Sequence, residues 1–327
     1  MGSKDRDFSS VGIIANPLSG KDIRRLVASA SVVSTHMKSN EILKLYAGLV
    51  AYGIKKVYVM PDYSDISKRA REQYSEKIET ILINTNILDA EETTIRAAKK
   101  MEANKVGCII VFGGDGTCRL VSKNISETPI LPVSTGTNNL FPLNLEGTVV
   151  GIAAAKFCLL KNIKKYSTRE KKLEIYDGAN LIDSSLVDVV ITKTPYIGSR
   201  AIWDIKNIDE LFVSKISHEG IGFSSIGHSL LKEDLDFNKG IHIALGENDY
   251  NNPQKIISAI APGKIEEIEI QGWKEFDNNN AIGVKLSSGT VALDGERTIE
   301  FNSSQKISVK LNTEGPYCLK VKEILST

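Results

Sequence analysis

Aromatic side chains make up only 6% of this 327-residue chain, and there are just four cysteines. Cys108, Cys118, Cys158 and Cys318 include no C-x-x-C pair, so neither a zinc site nor a disulfide framework is expected. Cys108 and Cys158 stand in apolar surroundings and read as small core residues. The four histidines, His36, His218, His228 and His242, are scattered without the spacing of a metal motif. Neither sign of charge is in excess: 41 Lys and Arg face 40 Asp and Glu. That balance argues against non-specific nucleic-acid binding as the main activity. No apolar run reaches the ~18 residues of a membrane span. The first residues, Met1-Gly2-Ser3-Lys4-Asp5-Arg6-Asp7, are charged where a secretory signal would be apolar. Met1-Gly2 opens like a myristoylation motif, but Arg6 stands where Ser or Thr is wanted. The expectation is a cytoplasmic protein with small-molecule partners, no nucleic acid and no membrane.

What is present is an ordered alternation. Apolar runs at 11–15, 57–60, 81–83, 108–112 and 130–133 read as strands. Helices are expected at 41–52, with Asn40 as cap and Gly53 as stop, and at 64–78. Two more are expected at 89–104, where Asp89 and Glu92 make a capping-box-like start, and at 148–160. Such alternation implies a doubly wound parallel sheet with helices on both faces. Binding loops then lie beyond the carboxyl ends of the strands. Lys161, Lys164, Lys165, Arg169, Lys171 and Lys172 follow as a basic linker. Short β-type runs then dominate, at 173–176, 186–192, 241–245, 256–260, 265–270, 281–286, 290–293, 307–311 and 318–321. They predict an antiparallel, sandwich-like β-rich domain. The expected division is residues 1–165 and 166–327, with the last strands packing back on the first domain.

Gly113-Gly114-Asp115-Gly116-Thr117 joins the 108–112 strand to a helical start. Free amides and the helix dipole at such a junction suit a phosphate. Asp115 could hold Mg²⁺ or take a hydroxyl proton, or simply cap the helix. Asn16-Pro17-Leu18-Ser19-Gly20-Lys21 ends the first strand. It offers hydroxyl, amide and ammonium donors to a phosphate tail, or is an ordinary loop. Ser134-Thr135-Gly136-Thr137-Asn138-Asn139 is a polar cradle for nucleotide or a turn with a cap. Asp294-Gly295-Glu296 reads as a hairpin turn, or as two acids for metal or proton work. Tyr196, Arg200, Trp203 and Asp204 form a candidate acceptor-side cluster, or a strand-edge loop. The Gly-rich stretch 217–223 could be a mobile flap. No Walker A pattern is present.

Together, Asn16-Pro17-x-Ser19-Gly20, Gly113-Gly114-Asp115-Gly116-Thr117, Gly136-Thr137-Asn138-Asn139 and Asp294-Gly295-Glu296 resemble the NAD kinase/diacylglycerol kinase superfamily in type and order. The Thr135-Gly136-Thr137-Asn138-Asn139-Leu140-Phe141-Pro142 stretch looks most like the AcoX-type branch, as do Asp188-Val189-Val190-Ile191-Thr192 and Arg200-Ala201-Ile202-Trp203. That branch comprises NAD kinase-like proteins named from acetoin-catabolism operons. Where NAD kinases carry Asn-Asn-Glu or Asn-Glu, this chain has Thr192-Lys193-Thr194-Pro195. The resemblance implies a Rossmann-like first domain, a β-rich second domain and a nucleotide in the cleft. It implies transfer of phosphate from ATP, with Mg²⁺, to a hydroxyl, NAD being the leading acceptor. Another alcohol, such as a lipid or small metabolite, or a non-catalytic sensor role, is the alternative. By the same resemblance Asp115, Asp294 and Glu296 are catalytic, and Asp115 and Asp294 hold Mg²⁺. Asn16, Ser19, Gly20, Lys21, Gly113, Gly114, Gly116, Thr117, Thr135, Gly136, Thr137, Asn138 and Asn139 bind the nucleotide. A homodimer or tetramer is implied.

Overall fold

The valine- and isoleucine-rich runs of the first half pair as parallel strands, and helices pack on both faces of the central ones. A computed structural model describes residues 6–20, 33–84, 89–136, 139–197, 205–231 and 233–327. Lys21, Thr137, Asn138, Arg200, Trp203 and Asp204 lie outside the described residues.

In chain order the first half holds β1 (Ser10–Ala15), α1 (Thr35–Ala51), β2 (Lys56–Val59), α2 (Lys68–Gln73), β3 (Glu79–Leu82), α3 (Ala90–Ala103), β4 (Ile109–Gly113), α4 (Asp115–Lys123), β5 (Ile130–Ser134) and α5 (Gly147–Leu160). Next come α6 (Ile163–Tyr166) and β6 (Ser167–Arg169), where the basic linker was expected. The second half holds β7 (Lys172–Asp177), β8 (Asn180–Ser185), β9 (Asp188–Thr192), β10 (Ile208–Val213), α7 (Phe223–Leu231), β11 (Lys239–Ala244), β12 (Gln254–Ala261), β13 (Lys264–Ile270) and β14 (Gly272–Asp277). It ends with β15 (Ile282–Gly283), β16 (Gly289–Leu293), β17 (Glu296–Phe301), β18 (Ile307–Asn312), β19 (Tyr317–Leu319) and α8 (Val321–Leu325).

The first sheet has the order β3-β2-β1-β4-β5-β19-β6. The chain winds outward from β1 through β2 and β3, then outward the other way through β4 and β5, which makes a switch point between β1 and β4. Val11 and Ile13 of β1 pack against α1 and α5 through Ile42, Leu45, Leu49, Val150 and Phe157. Ile14 packs on the other face with Ala97, Ala98 and Met101 of α3 and with Cys118 and Val121 of α4. β19 returns from the far end of the chain to pair with both β5 and β6. The second half is two antiparallel sheets, β14-β11-β10-β9-β16-β17 and β15-β18-β7-β8. They face each other across Leu173, Ile175, Val189, Ile191, Phe212, Val291, Val309 and Leu311. The β12–β13 hairpin and α7 cover the outer face of the six-stranded sheet.

Several elements differ from expectation. α1 starts at Thr35, capped by Ser34, whose side chain accepts from Met37 N, and not at Asn40. The expected 64–78 helix shrinks to α2. Asp62 instead turns the chain by accepting from Ser64 N and Ile66 N, and Asp65 is left-handed at φ 43°. The expected strand at 281–286 is two residues long. The 217–223 stretch leads into α7. Among the described residues no helix is long and apolar enough to cross a membrane.

Candidate functional site

Three loops meet where β1, β4 and β5 end. After β1, the Asn16 amide nitrogen donates to Thr117 Oγ1 at 3.0 Å, while its oxygen accepts from Leu18 N at 2.9 Å. Ser19 and Thr135 hydroxyls are 2.5 Å apart, joining the first loop to the third. After β4, Gly114 is the N-cap of α4 and Asp115 its first residue, so the helix begins inside the glycine-rich loop. A Cβ on Gly114 would sit 2.7 Å from the Asn139 side-chain oxygen, so a larger residue there would displace the Asn139 amide that joins these two loops. Asn139 in turn donates to Ser134 Oγ at 2.9 Å.

The Asp115 carboxylate accepts from the backbone N–H of Leu140 at 3.1 Å and of Phe141 at 2.8 Å. It thereby fastens the segment after β5 to the start of α4. Gly116, by contrast, has nothing within 4 Å of where a Cβ would stand. Sequence reasoning missed Lys38. Its ammonium is buried in the first turns of α1 and donates to the carbonyls of Asn16, Pro17 and Ser19 at 2.9, 3.1 and 2.5 Å. A buried ammonium needs such partners, and here they fix the course of the first loop.

The second half contributes the β16–β17 hairpin. Asp294 and Gly295 both have positive φ, 51° and 81°, as a two-residue hairpin turn requires. The Asp294 side chain has no exposed surface. It accepts from Ser185 Oγ at 2.7 Å, Leu186 N at 3.1 Å and Val187 N at 2.8 Å. Arg119, one turn beyond Asp115 on α4, places Nε 3.6 Å from Asp294 and Nη1 3.3 Å from Asp183. Lys123 reaches the same Asp183 oxygen at 2.6 Å. Burial pushes the Asp294 carboxyl up from its ordinary range, against the opposing pull of Arg119 and the three donors. The Cys118 thiol is driven well up by burial, then by the charges of Asp115, Cys318 and Asp294.

Asp115 and Asp294 thus do parallel work. Each carboxylate holds two consecutive amides, and the segments held, Phe141 with Leu186 and Val187, pack in one apolar cluster. Asp294, expected as a metal ligand or base, is enclosed by Arg119 and its donors. Glu296 is half-buried at the start of β17. Tyr196 is 73% exposed and follows β9 at the end opposite Asp188, whose carbonyl accepts from Asp294 N. The strand between spans about 13 Å, so Tyr196 is not brought to the motif acids by β9. Its partners in the expected acceptor cluster are not described. Arg119 and Asp183 were not anticipated. The available signal was an arginine four residues after Asp115, on the same helix face.

Two family models match the chain. The ATP-NAD kinase N-terminal domain matches residues 11–143, and the acetoin catabolism protein X C-terminal domain matches residues 171–314. The chain is 33% identical over 317 residues to acetoin catabolism protein X of Cupriavidus necator, covering 92% of this chain and 87% of that protein. A solved structure of a candidate diacylglycerol kinase from Bacillus anthracis aligns at 11% identity over 95% of both chains, with a TM-score of 0.46.

Proposed function

The chain belongs to the acetoin catabolism protein X family, and from that premise we propose an ATP-dependent kinase whose acceptor is an alcohol, NAD foremost. The observation that carries this reading is the convergence of three polar, glycine-bearing loops on the N-terminus of α4 at the switch point of a parallel sheet. The ATP-NAD kinase model spans all three of those loops, which supports ATP and NAD in particular.

In this reading the amides of Gly113, Gly114, Gly116 and Thr117 hold phosphate oxygens, helped by the α4 dipole. Asn16, Ser19, Gly20 and Lys21 contact the nucleotide tail. Thr135, Gly136, Thr137, Asn138 and Asn139 hold ribose and base. The acceptor oxygen attacks the γ-phosphorus, and the bond to the β,γ-bridging oxygen breaks with its electron pair leaving on ADP. The hydroxyl proton passes to Glu296. Among the described residues no group of three or more His, Cys, Asp or Glu is placed to hold a metal. A Mg²⁺ held by Asp115, phosphate oxygens and water fits that ligand-poor site. When bound, the ion neutralises charge on the β- and γ-phosphates. Asp294 is given a positioning part, since its carboxylate is enclosed.

One observation favours a second reading, a nucleotide sensor without turnover: Asp115 and Asp294 both already serve as acceptors of backbone amides.

Gly116 supplies the test. A Cβ there would stand in open space, and in this reading a carboxylate beyond it would confront the phosphates. Gly116→Glu is expected to keep the parent's melting temperature and weaken Mg²⁺–ATP binding at least about 100-fold, a differential of the size that like charges in a desolvated site impose. Calorimetric titration reads the binding. Unchanged ATP affinity in the variant would remove the loop from the phosphate site. ADP release in separate arms with NAD and with acetoin, the compound named in the relative's description, then sorts the acceptor.

A further inference from the structure

Building on the nucleotide-site reading, we propose that Arg119 is a positioning residue that couples occupancy of the glycine-rich loop to the hairpin carrying Asp294 and Glu296. Arg119 shares a helix face with Asp115, and its side chain is only 6% exposed. From that buried stance it spans the two halves. Its guanidinium meets Asp183 of β8 at 3.3 Å and Asp294 of the β16–β17 turn at 3.6 Å. Lys123, a further turn along α4, anchors Asp183 at 2.6 Å.

These contacts close a circuit. Asp115 holds the amide of Phe141. Phe141 belongs to the same apolar cluster as Leu186 and Val187. Asp294 holds the amides of Leu186 and Val187. Arg119 links Asp294 back to α4, the helix that Asp115 begins. The link to Asp294 is open: Nε is buried, carries no hydrogen bond, and stands 3.6 Å from the carboxylate. A closed charge-assisted contact would measure about 2.7–2.9 Å. Arg119 therefore has room to tighten onto Asp294 when phosphate draws on the N-terminus of α4. Tightening would fix the bend between β8 and β9 and set Glu296, two residues past Asp294, for proton transfer. A planar fork suits this task because it serves two carboxylates at once, which an ammonium does less well.

The experiment uses the full chain, its Arg119→Met and Arg119→Lys variants, and Mg²⁺–ATP as the probe. Amide hydrogen exchange is followed at Leu186 and Val187 with and without Mg²⁺–ATP. In the parent, Mg²⁺–ATP is expected to slow these amides by about fivefold or more, the lower end of ordinary site-to-site coupling. Arg119→Met is expected to bind Mg²⁺–ATP as the parent does and to show no such slowing. Arg119→Lys is expected to recover part of it. In turnover assays the loss falls on kcat, with KM for ATP unchanged. Slowing that persists in full in Arg119→Met overturns the proposal, as does a kcat that does not fall. Should Arg119→Met not fold, Arg119→Lys decides: reduced slowing supports the coupling and undiminished slowing overturns it. A parent with ATP-linked slowing but no transfer to any alcohol supports the coupling and removes only the kinase reading. A parent that phosphorylates an alcohol without slowing Leu186 and Val187 overturns the coupling and leaves the kinase standing.

Discussion

Asp115→Ala is expected to lower kcat for phosphoryl transfer by at least about 10³-fold, the scale set by losing a charge-bearing group at the reacting phosphates. The variant should still fold. Its carboxylate holds the amides of Leu140 and Phe141, and leaving such groups unsatisfied costs about 1–3 kcal/mol. That is a lowered melting temperature and not collapse. Asp115→Asn separates the two effects. An amide oxygen still accepts one of the backbone N–H groups, so stability recovers, whereas the charge does not return and turnover stays low. Steady-state kinetics and thermal melts on both variants check this. A variant that keeps more than a tenth of the parent kcat moves Asp115 out of the chemistry and leaves it a loop fastener.

The largest stability effect belongs to Asp294→Ala. Removing one partner of a buried pair costs about 3–5 kcal/mol, because the other charge is left stranded. Here the remaining charge is Arg119, whose side chain is 6% exposed and which keeps only Asp183, at 3.3 Å, so the lower end of that range is expected. The amides of Leu186 and Val187 lose their acceptor as well, while Ser185 Oγ keeps the Asp188 carbonyl. The substitution also puts alanine at a φ of 51°, which asparagine and aspartate tolerate better. Asp294→Asn keeps the turn and part of the hydrogen bonding, so a smaller loss is expected. Chemical denaturation of Asp294→Ala, Arg119→Met and the double variant reads the coupling directly. Additive losses would show that the pair does not interact.

How far the sequence carries depends on the range of the interaction. β1, β4 and β5 were legible because runs such as Cys108-Ile109-Ile110-Val111-Phe112 are buried on both faces and need no alternation. α3 was legible because Asp89 caps it locally, accepting from Glu92 N. The turn at Asp294 and Gly295 was legible from two residues. The start of α1 was not, because Lys38 is a charged residue on a buried face. It is held there by carbonyls of a loop that precedes it by some twenty residues. β10 was missed for a similar reason: Asp209 and Glu210 are buried in it, and Glu210 is satisfied by His242 and by Lys285 N. At the site, the polar loops could be read as phosphate cradles or as turns, and the partners of their acids could not be read at all. Asp115 finds its amides 25 residues on, and Arg119 finds Asp183 64 residues on. Such pairings follow from topology, which sequence spacing does not encode. That is why Asp294, a catalytic acid by family resemblance, is an enclosed carboxylate in the fold.

The most direct measurement is NADP formation from Mg²⁺–ATP and NAD by the purified chain, run beside Asp115→Ala and read with an NADP-specific dehydrogenase. The account predicts one NADP for each ADP in the parent and none above background in the variant. ATP bound by the folded parent, with neither NADP nor alcohol-dependent ADP formed, would contradict it.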